Sequence, residues 1–152
     1  MTKRTITTIL ISTVLAVSVY AAVNINKSSV KEKTEVSFIE QDWDKTLKSA
    51  KETHKLIFLD LYATWCGPCK MLKRNTFTNK EVADFFNANF INASVDVEKG
   101  VGVSLAQEYN VSMLPTLIVA REDGKPVLFT TGYLEPKEIL KFVKAAIEKS
   151  KK

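Results

Sequence analysis

Only two cysteines occur in the chain, and they stand two residues apart in the stretch Asp60-Leu-Tyr-Ala-Thr-Trp65-Cys66-Gly67-Pro68-Cys69-Lys70, straight after an apolar run. Sulfurs at i and i+3 can join each other in a disulfide. The loop such a bridge closes is too short to restrain the unfolded chain much, because the entropic gain grows with loop length. A pair that is a poor staple but opens and closes easily suits redox work. The competing chemistry is half of a zinc site. Zinc usually takes four ligands, and His54 is the single histidine available to join the two thiolates. The spacing therefore points to thiol–disulfide exchange, with no metal and no cofactor beyond the Cys66–Cys69 pair itself.

The flanking sequence supplies elements to hold that pair. Val36-Ser-Phe-Ile39 reads as a short first strand. Asp42 can cap a helix whose apolar positions Trp43, Leu47 and Ala50 recur at helical spacing. Leu56-Ile-Phe-Leu59 is continuously apolar, as a strand buried on both faces would be, and it leads into the cysteines. A helix should begin near Cys66 and carry Met71 and Leu72 inward. Thr78 or Asn79 can start or restart a helix bearing Val82, Phe85 and Phe86. Phe90 to Val97 reads as the next strand, and Leu105, Ala106 and Tyr109 as a short helical face. Thr116–Ala120 and Val127–Thr130 flank an Asp123-Gly124 connection, a hairpin signal. Glu135-Pro136 opens a last helix, with Ile139, Phe142, Val143, Ala146 and Ile147 at its period. The order is β-α-β-α-β-α-β-β-α, with no internal repeat.

Composition agrees with one domain: 152 residues, 45% hydrophobic and 26% charged. Lys3 and Arg4 account for two of the five net positive charges. Much of the remainder sits in Lys144, Lys149, Lys151 and Lys152, which reads as a solvated helix end with a basic tail over 149–152. No basic stripe with interleaved aromatics appears, so nucleic acid is not an expected partner. Behind Lys3 and Arg4 lies an uncharged stretch from Ile6 to Val23, the pattern of an export signal. Cleavage after Ala21 and retention of residues 1–23 as a membrane anchor both remain open. In either case residues 24–35 form a polar linker, and the domain over 36–148 is delivered across a membrane. The terminal Lys149-Ser-Lys-Lys152 is not the usual luminal retention signal, which favours a bacterial periplasm or the outer face of the cytoplasmic membrane.

Trp65-Cys66-Gly67-Pro68-Cys69 after a buried strand, with Asp60 upstream and Leu114-Pro115-Thr116 downstream, resembles thioredoxin over about residues 36–148. The segment Asn75 to Val82 is closer to the thioredoxin-like domains of membrane-linked electron relays. The resemblance implies an α/β thioredoxin fold: a central mixed β-sheet flanked by helices on both faces. The cysteines would lie at a helix N-terminus and a cis proline would face them.

It also implies roles. Cys66 would attack a client disulfide as the thiolate, favoured by the helix N-terminus, and Cys69 would resolve the mixed disulfide. Gly67 and Pro68 set redox poise, and the Gly-Pro pair is similar to the reducing end of the family. Trp65 would be a lid beside the sulfur; the alternative is an ordinary core tryptophan. Asp60 interrupts an apolar strand, where burial should raise its pKa and let it take and return the proton of Cys69. A satisfied capping carboxylate is the competing account. Cytosolic thioredoxins often place a lysine near this acid from the third strand. Asn92 falls at that position here, which would leave Asp60 without a nearby cation. Leu114, before a cis Pro115, would offer its backbone to an extended client, and Gly132 would let the client approach, unless it is a plain turn glycine.

The leading expectation is an exported protein-disulfide reductase, monomeric, fed by a membrane-embedded thiol electron donor and acting on client proteins with disulfides. A periplasmic oxidant or isomerase is the alternative within the same chemistry. A thioredoxin-fold adaptor comes third, disfavoured by the presence of both cysteines, the acid and the proline.

Overall fold

Strand β2, Leu56–Tyr62, is the spine of the sheet, and Ile57 to Leu61 are buried along it. In the computed structural model, which describes residues 34–152, five strands lie in the order β1-β3-β2-β4-β5. Strands β1 (Ile39–Glu40) and β2 run parallel to β3 (Phe90–Asp96), whereas β4 (Thr116–Ala120) is antiparallel to β2, and β5 (Pro126–Thr131) is antiparallel to β4. The fold is the expected mixed α/β sheet. Strand β1 is shorter and later than Val36–Ile39, because Val36 instead donates its N–H to the Phe77 carbonyl at 2.9 Å. The Asp-Gly turn is present: Gly124 has φ +87°, a conformation that favours glycine. The segment over residues 1–23, expected to direct export, lies outside the described residues. Among those described, no helix is long and apolar enough to cross a membrane.

Helices cover both faces. On one, Phe58 packs edge-on to Phe86 with ring centroids 4.7 Å apart, amid Leu72, Phe77, Val82, Ile139 and Val143. These come from α2 (Gly67–Met71) and its continuation, α3 (Lys80–Asn89) and α5 (Pro136–Ser150). On the other face Ile57, Leu59 and Leu61 meet Trp43 and Ala50 of α1 (Trp43–Thr53) and Leu105 of α4 (Val101–Glu108). Losing a buried ring such as Phe58 typically costs about 3–5 kcal/mol. The caps are local. Asp42 accepts from the Lys45 N–H at 2.9 Å, and the Glu138 carboxylate accepts from the Glu135 N–H at 2.8 Å.

Two features depart from the helix pattern read in the sequence. After α2 the chain makes a π turn, Leu72–Thr76, closed by the Phe77 N–H on the Leu72 carbonyl at 3.0 Å. Leu72 and Thr76 are buried, Thr76 donating its hydroxyl to the Leu134 carbonyl at 2.7 Å. Met71, expected inward, is exposed. Cys69 and Leu72, three residues apart, share the buried face, and Met71 is turned away from it.

The second feature is Gly102 in α4. A Cβ there would overlap the backbone carbonyl of Asp96, so α4 can lie against the end of β3 only with glycine at that point. Gly102→Ala should lower stability by about 1–3 kcal/mol, despite alanine's better helix propensity, because neither backbone can yield cheaply. Urea unfolding checks this, and a variant as stable as the parent would show that the contact relaxes.

Candidate active site

Cys66 is the N-cap of α2, directly beyond the C-terminal end of β2, and it is bonded to Cys69 as a disulfide. The Cys69 backbone N–H donates to Cys66 Sγ at 3.2 Å, and the Lys70 N–H reaches the Cys66 carbonyl at 3.2 Å. Pro68 sits in the first turn, where its missing N–H costs nothing. A Cβ on Gly67 would meet nothing, so its glycine serves no packing need. Both cysteines are buried in this oxidised state, packed with Ala63 and Leu114. They differ in surroundings. Cys66 lines a surface cavity of about 330 Å³ with Trp65, Gly67, Pro68, Met113 and Leu114, and Cys69 is not part of its wall. The cysteine expected to attack is the one that borders this cavity, although both are nearly closed off in the oxidised state, Cys66 at 3% exposure and Cys69 at 7%.

Trp65 is 66% exposed, which rules out the core reading. Its Nε1–H donates to Glu98 Oε1 at 2.9 Å. Glu98 was not singled out in the sequence. It belongs to a polar loop after β3, and nothing local marks it as a partner of a tryptophan more than thirty residues away. The loop is held by buried Asp96, which accepts from the Glu98 N–H at 3.1 Å and pairs with Lys99 at 3.1 Å.

The opposite wall of the cavity comes from the loop before β4. Leu114–Pro115 is cis, as the resemblance implied. The Pro115 carbonyl accepts from the Gly132 N–H at 2.8 Å, and the Thr116 hydroxyl donates to the Met113 carbonyl at 2.6 Å. Gly132 has φ +88°, so it is a turn glycine by conformation, and the space where a Cβ would lie is open. His54 stands before the other end of β2, exposed, its Nδ1 3.3 Å from Glu122. Among the described residues no group of three or more His, Cys, Asp or Glu side chains could hold a metal.

Asp60 lies inside β2, 7% exposed. Ser94 Oγ donates to its Oδ2 at 3.1 Å, while Oδ1 has no protein partner among the described residues. This is not a saturated capping carboxylate. Burial pushes its pKa up to about 7, against the Ser94 hydrogen bond that lowers it; Glu40 raises it further and Lys73 lowers it. The expectation about Asn92 needs correction. The residue of β3 in register with Asp60 is Ser94, whereas Asn92 is in register with Phe58 and donates to the Ser37 carbonyl at 3.3 Å. Nor does Asp60 lack a cation: Lys73, on the π turn, supplies one from a different element.

A family model described as a thioredoxin-like domain matches residues 43–147. The chain belongs to the thioredoxin family. The thioredoxin of Staphylococcus epidermidis is 34% identical over 105 residues, covering 69% of this chain and 89% of that one. A thioredoxin H-type of Fagopyrum esculentum is 32% identical over 82 residues, spanning 54% of this chain and 66% of that protein. A candidate disulphide-isomerase from Bacteroides thetaiotaomicron, known from its solution structure, superposes with a TM-score of 0.68 at 40% identity, covering 75% of this chain and 94% of that one. As in other thioredoxin-family domains, the bonded pair at the start of α2 is the redox centre of a thiol–disulfide oxidoreductase.

Proposed function

We propose that this domain is an exported protein-disulfide reductase that works through a mixed disulfide on Cys66. The observation carrying this reading is the asymmetry of the pair: Cys66 opens to the cavity, accepts the Cys69 N–H on its sulfur, and has the buried Asp60 on the preceding strand. In the reduced protein the Cys66 thiolate attacks one sulfur of a client disulfide, forming the mixed disulfide and releasing the first client thiolate. Asp60 takes the proton of the Cys69 thiol. The Cys69 thiolate then attacks Cys66 Sγ, closing the enzyme disulfide and releasing the second client thiolate. Two electrons pass to the client, and a membrane-embedded thiol donor returns them. Acting as a monomer, the domain would seat an extended client against Trp65, Gly67, Pro68 and Leu114, which line the cavity, with Pro115 and Gly132 beside them. Lys3, Arg4 and the uncharged stretch behind them support export to a bacterial periplasm or to the outer face of the cytoplasmic membrane, with N-terminal attachment if the segment is retained.

The likeness to a candidate disulphide-isomerase favours a second reading, disulfide shuffling. The reduction potential of the pair, equilibrated against glutathione or dithiothreitol buffers, separates the two. The reductase should fall near thioredoxin's value of about −270 mV, whereas a value at or above about −180 mV, where isomerases sit, would replace reduction with isomerisation or oxidation.

A further inference from the structure

Glu40, Ser94 and Asp60 form a polar row on one face of the sheet. Glu40 is in register with Ser94 across β1 and β3, and Ser94 with Asp60 across β3 and β2. In-register residues of neighbouring parallel strands point to the same side, and at about 4.8 Å per strand the row spans about 10 Å. Its outer end opens on a surface cavity of about 450 Å³ whose wall includes both Glu40 and Lys73. Lys73 comes from the π turn, so a carboxylate from the edge strand and an ammonium from the helix side share one cavity at the outer end of the row that leads to the buried acid. On the other side of Asp60, β4 offers only Leu117. Cys69 of α2 is held in the disulfide, and α5 turns the apolar Ile139, Leu140 and Val143 into this layer.

We propose that Glu40 and Lys73 are opposed positioning residues that set how tightly Asp60 holds its proton, with the Ser94 hydroxyl fixing the carboxylate between them. In this chain, control that a third-strand lysine would exert alone is divided between two elements. The attraction of Lys73 favours the ionised acid and the repulsion of Glu40 favours the protonated one. Both line a cavity at the surface, so both are open to screening. The inference deepens the proton-acceptor role proposed for Asp60 and rests on it.

The test titrates the Asp60 carboxyl carbon by NMR in the oxidised protein, for the parent, Lys73→Gln, Glu40→Gln and the double variant. The midpoint should rise in Lys73→Gln and fall in Glu40→Gln, each by about half a pH unit for charges of this separation in a surface cavity. It should return toward the parent in the double variant, and the differences should shrink in 1 M salt. Midpoints that do not move, or that move in the same direction in both single variants, overturn the proposal. The carboxyl is read directly, so opposed midpoints with an unshifted pH profile of disulfide reduction would uphold this control while removing Asp60 from the reaction.

Discussion

Cys66→Ser should fold normally and lose disulfide reductase activity by on the order of 10³-fold or more, since the nucleophile of a covalent route is gone. Serine fits the site: Cys66 is the N-cap of α2 and already accepts the Cys69 N–H, which a serine oxygen can do as well. What serine cannot supply at neutral pH is an anion able to attack sulfur, because the thiolate is the reactive species. The same logic makes Cys69→Ser a trap, able to form the mixed disulfide on Cys66 but unable to resolve it. Insulin reduction followed by turbidity reads the first effect, and non-reducing electrophoresis of client adducts reads the second. Undiminished turnover in Cys66→Ser would sink the enzymatic assignment.

The second large effect is on stability, with a sign opposite to most core substitutions. Burial raises the Asp60 pKa from 3.8 to about 7. In the unfolded chain this acid is ionised above its ordinary value, whereas the folded protein keeps it protonated until about pH 7. Between those limits the unfolded state binds fewer protons than the native one, so this group makes stability fall as pH rises, and the loss is complete above the folded pKa. At 1.36 kcal/mol per pH unit of difference, the penalty at pH 8 is about 4 kcal/mol. Asp60→Asn keeps an acceptor for Ser94 and removes the charge. The variant should be close to the parent near pH 4 and more stable by about 3–4 kcal/mol at pH 8, while reducing disulfides more slowly. Urea unfolding from pH 4 to 8.5 measures the gap between the two. A gap that does not change with pH would mean that the carboxyl titrates as an ordinary surface acid. A cost of this size held inside β2 is what a functional group would carry against stability.

What could be read from the residues alone was whatever is local or periodic. The i,i+3 sulfurs, the apolar run of β2, the Asp-Gly turn, the Asn79 and Asp42 caps and the stripe of α5 each depend on neighbours within a few positions, and each is where the pattern placed it. The anomaly of Asp60 was equally visible, because a carboxylate in an apolar run is costly wherever the run ends up. Tertiary structure decided everything that depends on distant segments meeting. Glu98 reaches Trp65 only because the loop after β3 lies beside α2, and Ser94 rather than Asn92 faces Asp60 because of the parallel register of β2 and β3. Met71 turned outward because the buried face at that point is drawn by Cys69 and Leu72. Lys73 stands near the buried acid because a π turn follows α2, and Gly102 is required by a carbonyl on another element. Side-chain periodicity encodes which face of an element is buried; it does not encode which residue of another element lies across from it, and the electrostatics of this site are set by those partners.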